Sequence, residues 1–294
     1  MSSTYVGARR RLCDLVVACV IAIIASSPVF AQESSGSSPN ALVPAGGVDV
    51  ANHYMFRGVR QNSTGIVVWP FTDLTARVLS REGTLRRIDA SLGFWNSLNT
   101  GDTGADGPAN QSWYETRLSG TLGFQFSRGV SVAATYTAYV SPNDMFSTVK
   151  EVGARLALDD RGALGARAVN PYALFALEVD ASPGMGQLDG GLKAGKYLEL
   201  GATPGYSGRY ASVAFPVKVG LSLSDYYELG SEDNTFGFVS VAGIVTVPLG
   251  RATRVGRWHV HGGLEFQSLG ETTKVFNGGD RSAMVASFGF GLKR

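Results

Sequence analysis

Cysteine is nearly absent: the 294 residues hold 2, Cys13 and Cys19, both close to the start of the chain. Whatever follows that stretch has no thiol chemistry, disulfide framework or cysteine-ligated metal. Charged side chains make up 17%, and the histidines are His53, His259 and His261 alone. Long apolar runs are missing too. Beyond Ile24 no unbroken stretch approaches the roughly 18 apolar residues that a membrane-spanning helix needs, although the mean hydropathy of +0.05 is high for a water-soluble chain. Glycine-rich phosphate loops, EF-hands and nucleophile elbows are also missing.

What is present begins with an address. Arg9, Arg10 and Arg11 precede an apolar stretch, Leu15 to Ala25, which leads into Ser26-Ser27-Pro28 and Val29-Phe30-Ala31. A basic start, a short apolar centre and small residues before a cut predict a secretory signal peptide over 1–31. Three arginines and Asp14 leave with it, so the rest of the chain carries equal numbers of basic and acidic side chains, which argues against nucleic acid as a partner. Residues 32–46, rich in Ser, Gly and Pro, have no periodicity and read as a flexible periplasmic lead-in. Residues 47–294 read as one folded unit.

Within that unit the period is two. From Trp113 to Ser127, Glu115, Arg117, Ser119, Thr121 and Gln125 fall on one parity and Leu118, Leu122, Phe124 and Phe126 on the other, the mark of a strand with one polar and one apolar face. Twelve such segments follow one another, from Val48–Val59 and Ile66–Leu79 through Val130–Val140, Leu188–Leu200, Ser212–Asp225 and Phe236–Leu249 to Ser282–Leu292. A unit of roughly 22 residues per strand and connection is long for a soluble sandwich and suits tilted strands crossing a bilayer. The expectation is an all-β protein, a closed antiparallel transmembrane β-barrel of about twelve strands; closure follows because unpaired backbone groups cannot face hydrocarbon.

Alternation alone does not say which face points outward. Charges of both signs in mid-strand suit a polar interior, and Trp69, Tyr114, Tyr172, Tyr226, Tyr227, Trp258 and Phe290, near segment ends, would form interface girdles. The predicted lumen lining is Asp49, His53 and Arg57 on the first strand, Asp73 and Arg77 on the second, and Asp89 on the third. Glu115, Arg117, Glu151, Arg155, Lys218, His259, His261 and Glu265 complete it. With a periplasmic N-terminus the longer connections, including Asn99–Gln111, Ala181–Gln187 and Tyr226–Thr235, would be extracellular. Asp160–Asn170 and Gly201–Ala211 are long for periplasmic turns.

The stretch Tyr54-Met55-Phe56-Arg57-Gly58-Val59-Arg60-Gln61, an aromatic-x-Phe-Arg-Gly-x-x-Gln pattern, and Lys196-Tyr197-Leu198-Glu199-Leu200-Gly201 further on resemble a family of Gram-negative outer-membrane β-barrel proteins described as porin-like. The resemblance implies an outer-membrane location and a barrel, and no substrate. Unlike most such barrels, the chain ends Leu292-Lys293-Arg294 instead of in an aromatic residue.

Function is therefore expected to be that of a passive channel for small polar solutes, with no cofactor, no metal and no catalytic residue. Its partners would be outer-membrane lipid, the barrel-assembly machinery and the solute. The alternative is a structural or adhesive barrel that binds partners through extracellular loops. A third reading, a lipid or ester hydrolase, would use His259 or His261 with Ser91, Ser268 or Ser287. His259, His261 and Glu265 share one strand face, which is also the minimum of a zinc site.

Overall fold

The computed structural model describes residues 42–62, 64–101, 111–180, 193–253 and 255–293. The expected signal peptide, most of the lead-in and the connections at 102–110 and 181–192 lie outside the described residues. The described residues form twelve barrel strands. They are β1 Leu42–Ala51, β2 Val67–Ser80, β3 Leu85–Asn99, β4 Trp113–Phe126, β5 Val130–Val140 and β6 Val149–Leu158, then β7 Tyr172–Asp180 and β8, which begins as Lys196–Ala202. β9 ends as Val217–Ser224, and β10 Phe236–Leu249, β11 Arg257–Leu269 and β12 Ser282–Lys293 complete the wall.

Each strand pairs antiparallel with its sequence neighbours, and β1 closes the ring against β12 with Gly46 opposite Leu292 and Ala51 opposite Ser287. Two strands are broken by prolines, which cannot donate to a ladder. β8 passes Pro204 and resumes as Gly205–Ser207; β9 starts as Ser212–Ala214 and passes Pro216. Phe215 N–H donates to the Pro204 carbonyl at 2.8 Å, and Ala242 N–H donates to the Pro216 carbonyl at 2.8 Å, which holds the wall together across the breaks.

The side chains settle which way the sheet faces. Leu92 is 69% exposed and Phe288 55%, whereas Glu115 is 0% exposed and Glu265 2%. Leu74, Leu118, Leu122, Leu156 and Phe266 join the exposed apolar set. An apolar exterior around a charged interior is the inverse of a soluble barrel, and an apolar surface of this extent requires hydrocarbon around it. The molecule is a transmembrane β-barrel.

Three expectations are corrected. The first strand runs over Leu42–Ala51, not Val48–Val59, so it begins inside the segment read as lead-in and ends before the Phe56-Arg57-Gly58 pattern. Asn52 ends it: its amide donates to the Met284 carbonyl at 3.3 Å and its side-chain oxygen accepts from Ala286 N–H at 2.7 Å, and the chain then leaves the sheet. The connection expected over Gly201–Ala211 is strand up to Ser207, with Gly208 N–H bonded to the Ala211 carbonyl in a tight turn. The aromatics expected in the girdles divide: Trp69, Tyr114, Tyr226 and Tyr227 are buried, and Tyr172 lines the interior. Trp258 and Phe290 do stand outside, stacked at 4.7 Å.

The long connection after β6 is real. It holds a short helix, α1 Arg161–Leu164, and the Asp160 carboxylate accepts from Val169 N–H at 3.1 Å and Asn170 N–H at 2.9 Å. A second short helix, α2 Glu271–Phe276, lies between β11 and β12.

Candidate functional site: a plugged polar lumen

After Asn52 the chain turns into the barrel. Met55–Phe56 and Val59–Arg60 form a small hairpin whose turn residues, Arg57 and Gly58, both have positive φ, 47° and 86°. Such a two-residue turn needs left-handed backbone at both positions, which costs glycine little and arginine more. The side chain of Arg57 finds partners that offset that cost.

Its guanidinium forks onto Glu151 of β6, with Nη1–Oε2 at 2.6 Å and Nη2–Oε1 at 2.9 Å, and donates to the Tyr226 hydroxyl at 2.7 Å. It also lies 4.1 Å from the ring centre of Tyr197 on β8. β6 and β8 stand across the ring from β1, so the hairpin spans the lumen. Both members of the Arg57–Glu151 pair are more than nine-tenths buried; a bidentate geometry with a further hydroxyl is what makes such a buried pair tolerable.

The hairpin is fixed on other sides as well. Tyr54 O–H donates to Glu115 at 3.0 Å, and Arg117 donates to the Tyr54 oxygen at 2.8 Å and to Glu115 at 3.0 Å. Tyr227 O–H donates to the Arg57 carbonyl at 2.9 Å, and the Asn277 amide donates to the Gly58 carbonyl at 2.8 Å. Tyr54 packs edge-on against Trp69 at 5.5 Å within a buried cluster that includes Phe56, Tyr114 and Tyr139. Ala176, Tyr197, Tyr226, Tyr227 and Phe238 form a second cluster on the opposite wall. Together they fill much of the interior at the end of the barrel where β1 leads toward β2.

Toward the end where β1 begins and β12 finishes the lumen opens into a cavity of about 620 Å³, bounded by Tyr54 and Met55 on the plug side. Of the predicted lining, Asp49, Asp73, Arg77, Asp89 and Arg117 face this cavity, as do Arg155, Lys218, His259, His261 and Glu265. Glu115 and Glu151 lie behind it, bonded into the plug, and Arg57 is part of the plug instead of the wall. His53 is half-buried just before the hairpin, where burial and the nearby Arg60 charge lower its pKa.

Most of the cavity's charges are matched within the wall. Asp89 takes Arg77 at 3.3 Å and Arg87 at 2.8 Å, Glu265 takes Lys218 at 3.7 Å, and Asp49 Oδ1 lies 2.9 Å from His261 Nε2. His259 and His261 tilt together at 5.3 Å, but Glu265 is held by Gln267 at 2.9 Å, and no metal-binding group of three occurs among the described residues. Neither histidine hydrogen-bonds a serine among the described residues, and Ser91 is bonded to Thr75.

Sequence reasoning missed Tyr54, Tyr139, Tyr197, Tyr226, Tyr227, Glu178, Glu199 and Asn277 as interior residues. Glu178 and Glu199 share the polar parity of their strands and were legible there; Glu199 accepts from Tyr172 at 2.8 Å and Tyr197 at 2.9 Å. Tyr139 and Tyr197 share that parity too, with Thr137 and Glu199; Tyr54, Tyr226 and Tyr227 lie off the wall strands, where parity carries no signal.

No model of a known protein family and no curated protein sequence matches the chain. Among solved structures, an outer membrane channel from Pseudomonas putida F1 is similar over 91% of this chain and 99% of that one, with 12% identity and a TM-score of 0.48.

Proposed function

We propose that the protein is an outer-membrane channel for a small polar solute, exported by way of residues 1–31, inserted by the barrel-assembly machinery and closed at rest by its own 52–62 segment. The observation that carries this reading is the charged cavity of about 620 Å³ inside a closed barrel, ended by a hairpin that belongs to a connection and not to the wall. With the termini in the periplasm, the cavity opens to the periplasm and the hairpin bars the extracellular side. Passage then depends on displacing the hairpin, since Tyr54 and Met55 bound the space beneath it.

Planar-bilayer recording of folded, heat-modifiable protein tests this. The unaltered chain should give rare or small openings, and a variant with residues 55–60 replaced by Gly-Gly should give stepwise, sustained conductance. A silent hairpin-less variant that is still folded would remove the channel reading.

The firm seating of the hairpin favours a second reading, a barrel whose work is done by its extracellular connections. A loop deletion that abolishes adhesion or partner capture while permeability stays unchanged would support it.

A further inference from the structure

We infer that the cavity binds a solute carrying a positive and a negative group at opposite ends of a short chain, with Asp73 receiving the cation and Arg155 the anion. The inference rests on the channel reading and names the class of its solute.

Most of the cavity's cationic side chains are already paired. Arg77, Arg87, Lys218 and His261 each meet a carboxylate of the cavity wall, and Arg117 is held by Glu115. Asp73 and Arg155 face the same cavity, and among the described residues neither has an ion-pair partner or a hydrogen bond to another side chain. The Arg155 guanidinium lies 4.1 Å from the ring centre of Tyr172, and its Nε is buried with nothing to receive it. Glu199 is near enough to feel its charge, yet its two oxygens are taken by Tyr172 and Tyr197. A buried donor without an acceptor is costly, and a carboxylate or similar anion would satisfy it.

Asp73 is shaped as the other pole. Gly93 sits between Asp73 and Ser119 on the ladder, and a Cβ there would lie 2.8 Å from Asp73 Oδ1 and 2.5 Å from Ser119 Oγ. The missing side chain lets carboxylate and hydroxyl converge over β3, an acceptor pair suited to an ammonium group. Asp73 on β2 and Arg155 on β6 are four strands apart and also four residues apart along them, because the ladder carries Asp73 through Gly93, Ser119 and Thr137 to Glu151. Barrel curvature and the length of the arginine shorten that span, but an α-amino acid, with its charges a few ångströms apart, does not bridge it. Ser91 and Thr121, each half of a 2.9 Å hydroxyl pair, occupy the inward-facing row between the two poles. They offer hydrogen bonds to the middle of the solute.

Calorimetric titration of the folded barrel in detergent with ε-aminocaproate, caproate and hexylammonium tests the site without requiring conductance. The doubly charged probe should bind about tenfold more tightly than either singly charged one, the difference expected of one additional charge-assisted contact. Asp73→Asn should erase its advantage over caproate, and Arg155→Gln its advantage over hexylammonium. Equal affinity for the three probes, no binding of ε-aminocaproate, or preferences that survive both substitutions would overturn the inference. Should either variant fail to fold, the three-probe comparison on the unaltered chain still decides. Selective binding by a barrel whose hairpin-less variant never conducts would remove the channel and keep the site. Conductance without selective binding would do the reverse.

Discussion

Asp49 and His261 stand on strands that do not pair with each other, yet their side chains meet at 2.9 Å. β12 runs between β1 and β11, and Gly289 is the residue of β12 opposite both. The contact exists because that position has no side chain. A Cβ on Gly289 would collide with Asp49 Oδ1 and with the His261 ring.

Gly289→Ala should therefore destabilise the closing seam of the barrel by about 1–3 kcal/mol, the usual cost of forcing atoms into a filled interior. Urea unfolding in lipid vesicles would measure it. Gly120, whose added Cβ would have Leu92 no nearer than 4.0 Å, serves as the control, and Gly120→Ala should change stability much less.

The Arg57–Glu151 pair makes a second prediction. Removing one partner of a buried ion pair leaves the other charge uncompensated, at about 3–5 kcal/mol, whereas replacing both by apolar residues of similar size is close to neutral. Arg57→Met should release the hairpin, and Arg57→Met with Glu151→Leu should seat it again. Amide hydrogen exchange over residues 54–62 reads the difference directly: fast in the single variant, slow in the double.

A third prediction concerns the turn itself. Gly58 has φ of 86°, and an added Cβ would lie 3.0 Å from Phe238. Gly58→Ala places a side chain in a left-handed conformation that disfavours it by about 1–2 kcal/mol. Exchange at the hairpin amides should rise while the global unfolding midpoint of the barrel stays nearly constant, because the wall does not depend on this turn.

A fourth prediction is a pH dependence outside the spanning strands. Hydrogen bonds from Lys193, then from Ser224, pull the Asp225 carboxyl down from 3.8 to about 2. Asp225 makes its Lys193 contact at 2.8 Å, tying the segment before β8 to the end of β9. A carboxyl whose folded value is depressed contributes its tie fully above the unfolded value and loses it as pH falls toward the folded one. The tie should hold above about pH 4 and weaken between there and pH 2. NMR titration of Asp225 in the folded barrel should show the low midpoint, and Lys193→Met should move it upward toward the ordinary carboxylate range.

By itself the sequence determined the wall. Because side chains alternate at every residue, a one-residue slip would put Glu115 or Glu265 into hydrocarbon, so the polar parity specifies strand number, register and most of the charged lining. β5 and β10 have the limits that the periodicity predicts, Val130–Val140 and Phe236–Leu249. Which face looks outward, and where the chain leaves the wall, were decided only in three dimensions. The apolar parity of Val48 and Val50 is interrupted at Asn52 and resumes at Tyr54 and Phe56, so a single polar residue is the whole local mark of the turn. The hairpin lies inside because its partners, Glu151, Tyr226, Tyr227 and Asn277, are 94 to 219 residues away in the chain. Periodicity registers which face a residue is on; it cannot register contacts across a lumen, and those contacts turn an expected first strand into a plug.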